Sequence, residues 1–434
     1  MTDGGVIGDD RPVAVIVDGY STGAALAPEF ARRGWACIHV SSRPDIDPVY
    51  QAVHRPETYR AGITHRGDLA ETLTVLASFH PRAVLPGAEI GVELADALAE
   101  GLGFAGNGTA LSAARRDKFL MARAVARAGL ATAPQFRAGD AVAARDWARD
   151  QGRWPVVVKP LNSAGTDGVT ICQTLDQLDQ AFARIHGKRN RLGLINDDVL
   201  IQGFLQGRQY FINTISLAGR HLVAEIWVES KRQVAEAAFI NDLEMLLPAD
   251  GPVQALLADY TMAVLDALGI SHGPAHTEVM LTDAGPVLIE TAARLMGTVE
   301  QRAVMAALGE TQVTLTVDAC ADPDGFMARL DRAAADLPYR MQGHLWCVAL
   351  ISGQAGRITS HQGLSRLERL ASYVSRINIA PIGSMLAPTV DFFSSPGVVY
   401  LLHEDQAVLA ADYACIRAWE RDGLLFDVVP VPAG

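Results

Sequence analysis

The sequence predicts an α/β chain of several domains, with a parallel-sheet domain first and an α+β module last. Three observations predict it. Short apolar runs alternate with amphipathic segments through the N-terminal third, the pattern of strands and helices around a parallel sheet. Later, two β-like runs flank the turn residues Asp283-Ala284-Gly285. The length of 434 residues, 49% of them hydrophobic, is enough for several cores, at roughly 100–200 residues per domain.

Taken in order, VAVIV (Val13–Val17) reads as a buried strand, Asp18–Gly23 as a turn and Ala25–Gly34 as a helix. Ala36–Val40 and Ala83–Gly87 follow as strands, with a helix over Glu89–Glu100. The first turn lacks GxGxxG, so no dinucleotide site is expected there. A helix is predicted over Ser112–Gly129, with Ser112 as its N-cap and Gly129 as its stop. Pro155–Pro160 reads as a strand leading into a loop of small residues, Leu161–Val169. Val199–Leu205, Arg208–Ser216 and Arg220–Ser230 are further strands, followed by a helix over Val253–Leu268. The C-terminal region mixes β-like runs (HLWCVALISG, GVVYLLH) with the amphipathic segment Asp412–Gly423.

Composition narrows the function. The formal net charge is −12, from 37 basic and 49 acidic residues. That balance argues against a nucleic-acid partner, which needs clustered Lys and Arg on phosphates. The five cysteines (Cys37, Cys172, Cys320, Cys347, Cys415) are odd in number and form no CxxC pair. Neither a disulfide framework nor a structural zinc site is expected, and a cytoplasmic setting is the default. The N-terminal MTDGGVIGDDRP has no apolar signal core. No run approaches the ~20 apolar residues of a membrane span.

The most informative stretch is His276–Arg294, HTEVMLTDAGPVLIETAAR. A hairpin centred on Ala284 sets Thr282 against Pro286, Met280 against Leu288 and Glu278 against Glu290. Alternation then points both glutamates to one face, with Cβ atoms about 4.5–5.5 Å apart. Two like charges at that distance need a neutraliser. Mg²⁺ is the simplest, since it is held by one or two carboxylates plus phosphate oxygens and water. A protonated glutamate, pairing with Arg294, or a plain solvated hairpin face are the alternatives. Lys159 ends a β-branched strand and would project toward the small-residue loop Asn162–Gly168, whose backbone N–H groups can approach phosphates closely. Read singly, such a lysine is also an ordinary surface charge, and Lys118 in RRDK an ordinary solvated one. Two strands joined by a Gly-containing turn, VLIQGFLQGRQYFIN, read as a hinge between lobes.

Together, in this order, VVVKPLNSAGTDGV, QGFLQGRQY and GPAHTEVMLTDAGPVLIETAARLMG resemble the ATP-grasp superfamily. The ETAAR form is most similar to the L-amino acid ligases that make dipeptides. The resemblance spans about residues 10–320, judged against ordinary domain sizes. It implies an N-terminal parallel-sheet domain (1–112), a central ATP-grasp domain (113–325) with a mobile lid near 130–205, and a C-terminal α+β module (326–434). It implies ATP and Mg²⁺ as cofactors, small-molecule carboxylate and amine substrates, and a homodimer, as is common in that family. Lys118 and Lys159 would contact the ATP phosphates. Ser163, Gly165, Thr166 and Gly168 would fold over them. Gln202, Gly203, Leu205 and Gln209 would bind adenosine, with Gln209 where many members have an acidic ribose ligand. Glu278 and Glu290 would hold Mg²⁺. Arg294 would steady the acyl phosphate, and Glu89, Met296 and Thr298 would face the substrate. Ala292 replaces the Asn that many ATP-grasp enzymes carry two residues after the second metal Glu, a replacement the amino acid ligases share. The activity implied is an ATP-dependent carboxylate–amine ligase. A biotin-carboxylase-like or purine-pathway enzyme, a phosphotransferase, and a non-catalytic nucleotide-binding module are the competing readings.

Overall fold

A computed structural model describes residues 10–46, 53–163, 165, 167–235, 238–391 and 394–430. The first sheet consists of β1 (Val13–Val17), β2 (Ala36–Ser41), β3 (Ala61–Thr64) and β4 (Pro81–Pro86), all parallel, in the order β3-β2-β1-β4. Every residue of β1 is buried, because a parallel strand is covered on both faces. That is why its sequence is an unbroken apolar run. β3, which lies outside the strands read from sequence, is a half-exposed edge with only four residues. Its short AGIT gives no apolar run to recognise.

The second sheet is antiparallel: β5 (Gln135–Ala138), β6 (Val156–Pro160), β7 (Thr170–Cys172) and β8 (Val199–Gly203), ordered β5-β8-β6-β7. Two helices, Ala141–Gln151 and Leu175–Ile185, back it. Their small and apolar residues (Ala144, Ala148, Leu178, Phe182) pack on Val156, Val158 and Ile201. Asp140 and Thr174 cap these helices by accepting backbone N–H bonds.

The rest of the chain supplies β9 (Arg208–Leu217), β10 (Arg220–Ala235), β11 (Ala238–Leu246), β12 (Gly273–Thr282), β13 (Gly285–Ala292), β14 (His344–Ala349), β15 (Gly356–Ser360), β16 (Tyr373–Ile377), β17 (Met385–Leu386), β18 (Val398–His403) and β19 (Asp427–Val429). Eight of them form one antiparallel sheet, β13-β12-β9-β10-β11-β14-β18-β16. The sheet therefore runs from the central segment into the C-terminal one through the β11–β14 pairing. β15, β17 and β19 make a small third antiparallel layer. The helix Pro252–Ala267 packs Leu257, Val264 and Leu265 into the main core beside Trp227 and Leu288. No helix among the described residues is long and apolar enough to cross a membrane.

Two elements differ from expectation. β10 continues past Ser230 and is followed by β11, which the sequence reading lacked. Register shifts at Ser230/Lys231 and Gln233/Ala235 break the two-residue period that would reveal them. The helix expected over Ser112–Gly129 is split. A 3-10 turn covers Ala113–Arg115, and the α-helix proper is Lys118–Arg127. Its cap is Asp117, which accepts the N–H groups of Phe119 (2.8 Å) and Leu120 (2.9 Å). Ser112 instead donates its hydroxyl to Asp96 (2.5 Å). Gly129, with φ +82°, ends the helix as expected.

Asp117→Ala removes that cap and should lower stability by about 1 kcal/mol. The shift shows as a lower urea midpoint with an unchanged denaturant slope.

Candidate active site

The hairpin β12–β13 brings Glu278 opposite Glu290, by a different route from the one expected. The turn is tighter: Thr282 pairs with Gly285, Met280 with Val287 and Val279 with Leu288. In that register Glu278 would meet Ile289, and Glu290 would face away. A bulge between Glu278 and Val279 adds one residue to β13 and restores the glutamate pair. The pairs Met280–Leu288 and Thr282–Pro286 are thus not formed.

Each carboxylate has its own neutraliser. Lys118 lies 2.7 Å from Glu290 and donates as well to the Ser163 carbonyl at 2.7 Å. Glu278 accepts from the Gln209 amide at 2.8 Å and sits 3.5 Å from His276 Nε2. Gln209 in turn accepts from Lys231 (2.8 Å), which lies 3.2 Å from Glu229. Burial alone would raise the Glu278 carboxyl, but His276, Lys231 and Lys118 outweigh it and lower it. Lys159 is buried at the end of β6. Burial, then Lys118, push its ammonium down to about 8, against the pull of Glu290 and Glu278. Lys118, Lys159, Glu278 and Glu290 are therefore one electrostatic cluster. Pairing with Arg294, one of the alternatives for the glutamates, does not occur: Arg294 lies beyond the end of β13.

Arg294 donates instead to Glu89 (2.7 Å) and to the Leu295 carbonyl (2.7 Å). Arg116 binds the other Glu89 oxygen. Burial would raise the Glu89 carboxyl, yet Arg116, Arg294 and Lys118 hold it at about 2. The 3-10 turn Glu89–Gly91 that follows β4 delivers Glu89 to this point.

In the small-residue loop, Ser163 donates its hydroxyl to Asp167 (2.7 Å), which also accepts the Arg191 N–H (2.9 Å). Gly165 and Gly168 have φ of +66° and +68°, a conformation that suits glycine. Thr166 lies outside the described residues. Gln202 is buried within β8. Gly203 donates its N–H to the Pro134 carbonyl (2.8 Å), so an adenine contact through that group requires exchange. Leu205 follows in the connection to β9. Met296 and Thr298 line a cavity of ≈ 40 Å³ with Glu244 and Cys347. Thr298 has φ +60° and donates its N–H to the Ser21 hydroxyl (3.2 Å), Ser21 itself having φ +52°. Two non-glycine residues in this conformation, bonded to each other, hold the loop after β13 against the loop after β1.

Sequence reasoning passed over Arg116, His276 and Lys231. His276 stands two residues before Glu278 and so shares its face, a signal that strand alternation carries. Arg116 sits in RRDK beside Lys118, where one charge cannot be told from the next. Lys231 lies past a bulge and beyond the expected strand end.

A family model for the ATP-grasp domain matches residues 152–301. Dapdiamide A synthase of Enterobacter agglomerans is 33% identical over 417 residues, covering 95% of this chain and 97% of the relative. The crystal structure of an L-amino acid ligase from Bacillus licheniformis superposes with a TM-score of 0.73 at 17% identity, over 97% of this chain and 99% of that one. The biotin carboxylase domain of the Hydrogenobacter thermophilus 2-oxoglutarate carboxylase superposes at 0.62, with 13% identity and 96% and 90% coverage, so the fold alone does not separate ligases from carboxylases. Fold and matched domain define an ATP-grasp enzyme, a class that binds ATP. Within it, the chain belongs to the amide-forming, L-amino-acid-ligase-like family, and it is an ADP-forming ligase.

The lowered Lys159 ammonium gives a pH signature. At about 8 it is partly deprotonated near pH 8.5, and an anionic triphosphate placed beside it would restore the charge. ATP binding at that pH should take up protons, and Lys159→Met should remove much of the uptake. Calorimetry in two buffers of different ionisation enthalpy measures it.

Proposed function

We propose that the chain joins a small carboxylic acid, an amino acid or a relative of one, to an amine through an acyl phosphate. The observation that carries this reading is the Glu278–Glu290 pair held beside Lys118 and Lys159, with Arg294 and Glu89 close by. A carboxylate resists attack by an amine because it has no adequate leaving group. Transfer of the ATP γ-phosphoryl group to it creates one. Phosphoryl transfer depends mainly on positioning and charge neutralisation.

The donor set fits Mg²⁺. Glu278 and Glu290 are two carboxylates on one face, and Lys118 already supplies to Glu290 the positive charge that a hard cation would supply. No group of three or more His, Cys, Asp or Glu side chains placed to hold a metal occurs among the described residues. Mg²⁺ commonly takes only one or two carboxylates and completes its shell with phosphate oxygens and water. When bound, it would neutralise charge on the transferring phosphoryl group.

The chain's own groups then divide the work. Lys118 and Lys159 bind phosphate oxygens. The loop of Ser163, Gly165, Thr166 and Gly168 covers them, with Asp167 fixing the Ser163 hydroxyl. Gln202, Gly203, Leu205 and Gln209 hold the adenosine. Arg294 binds the acyl oxygen, and it stabilises the oxyanion that forms when the amine attacks, a role worth about 3–4 kcal/mol for an oxyanion-hole donor. Glu89 orients Arg294, while Met296 and Thr298 bound the substrate. An acyl phosphate hydrolyses readily, so water must be kept out. The segment 130–205, part of a central domain 113–325 that lies between the domains 1–112 and 326–434, would close over the site for that purpose. The setting proposed is the cytoplasm.

Glu290→Gln should abolish Mg²⁺-dependent ADP release with the fold intact. Near-normal turnover, read by coupled ADP assay, would remove Glu290 from the metal role. Arg294→Ala should lose amide product by mass spectrometry while slow ATP hydrolysis persists. An unchanged amide yield would count against the oxyanion role.

A further inference from the structure

The face of the large sheet that carries Glu278 extends well past the phosphate end. Glu278 pairs with Phe211, Phe211 with Trp227, and Trp227 with Leu246. Two residues from Trp227 and Leu246 stand Glu229 and Glu244, themselves directly paired. Paired residues and residues two apart share a face. Glu244 pairs on with Cys347, and Cys347 with Tyr400. Glu244 is thus on the active-site face, three strand spacings or about 14 Å from β12.

Its surroundings differ from those of the other carboxylates there. Glu290 has Lys118, Glu229 has Lys231, Glu89 has two arginines, and Glu225 accepts from the Asn213 amide and the Trp227 indole. Glu244 has no cationic partner among the described residues; its neighbours are the Cys347 and Asn241 groups. Burial and the facing Glu229 push its carboxyl up to about 8. It also lines the cavity of ≈ 40 Å³ bounded by Asn241, Met296, Thr298, Cys347 and Val398. A water needs only about 10–15 Å³ of such space, so an ammonium with an adjoining methylene is accommodated. The remaining wall is largely apolar, which leaves Glu244 as the group that a charged ligand would seek. Met296 and Thr298 follow Arg294 by two and four residues, so one wall of the cavity belongs to the segment that carries the group placed at the acyl carbon.

We propose that Glu244 is a specificity-determining residue that receives a protonated amine of the acyl-donor substrate in this cavity, a proposal that rests on the ligase reading with Arg294 at the acyl group. The reacting amine is not the candidate. It must lose its proton to attack, and a carboxylate that keeps nitrogen charged opposes that. The nitrogen bound by Glu244 belongs to the molecule being activated, either as its α-ammonium or at the end of its side chain.

The test uses hydroxylamine as the acceptor in every arm, so that only the donor varies and the product is a hydroxamate. Donors are the proteinogenic amino acids, their N-acetyl and des-amino counterparts, and acids carrying a terminal amine. The wild-type protein should favour amine-bearing donors in kcat/KM by about tenfold or more, since an ammonium brought against this buried acid would favour its ionised form and gain a charge-assisted hydrogen bond. Glu244→Gln should reduce that preference by about tenfold, chiefly through KM, and Glu244→Asp, which keeps the charge, should retain most of it. Whichever of the α-amino or terminal-amine arms loses its advantage identifies the source of the nitrogen. The proposal is overturned if the wild-type protein uses N-acetyl and des-amino donors as well as amine-bearing ones, or if the Gln variant keeps the preference within about twofold while binding ADP normally. A Gln variant that fails to bind ADP is read through the Asp variant, whose loss of preference would equally overturn it. Absence of hydroxamate from every donor would instead overturn the ligase reading beneath it.

Discussion

Two carboxylates facing each other across one β-ladder is the constraint on which the rest of this site depends. Left alone, Glu278 and Glu290 would repel, and the hairpin would be better off slipping one residue. The fold does the opposite: a bulge spends one residue to bring them together. Compensation arrives from four elements, one of them in the hairpin itself. Lys118 comes from the start of its own helix, Gln209 with Lys231 from β9 and β10, and His276 from β12 itself. The contacts that neutralise the pair therefore tie the antiparallel sheet to the helix at 118–127. Through the Lys118–Ser163 bond they also reach the loop beyond β6.

This explains what the sequence disclosed and what it hid. Buried parallel strands such as β1 are legible because both faces are covered and every residue is apolar. The glutamate pair was legible from turn chemistry and alternation, although its register was not, since a bulge leaves no mark in a two-residue period. β11 was invisible for the same reason: bulges and charged residues interrupt the pattern along the end of β10 and along β11. The cap at Asp117 was hidden by a nearer candidate, Ser112, whose hydroxyl a buried Asp96 claims. Tertiary contacts settled that choice, as they did the pairing of Arg294 with Glu89 across 205 residues of chain. The residues alone suggest a hinge and a phosphate-approaching loop, but the specific adenosine and ATP contacts come from the resemblance, because the physical signal of a Gly-rich turn is weak by itself.

The large sheet matters beyond holding the hairpin. Its order carries one face from Glu290 across to Tyr400, past the nominal end of the central region. Arg417 anchors the far part of that face. From the C-terminal helix Gln406–Arg421 it donates to Asp242 Oδ1 (2.6 Å), the Asp242 carbonyl (2.9 Å) and the Ala349 carbonyl (2.9 Å). Asp242 lies between Asn241 and Glu244 on β11, so the C-terminal module fixes a strand that borders the cavity. A module remote in sequence thereby helps shape the active-site face, and the chemistry of one end and the fit of the other can vary independently.

The Glu89 contact bears on how a substrate enters the proposed site. Arg294 is bonded to Glu89, so in the proposed reaction a substrate carboxylate would compete with a carboxylate already bonded. Glu89 has a second cation, Arg116, and a third charge, Lys118, acts on it as well. It can release Arg294 and remain an ion with a partner, which spares the cost of a buried unpaired charge. Removing Arg116 would take that option away, leaving Glu89 and Arg294 bound to each other more exclusively. On the proposed reading, the pair of arginines around one glutamate would act as an exchange device: it holds Arg294 in place, and it would make transfer of Arg294 to an acyl oxygen less costly than breaking an isolated ion pair.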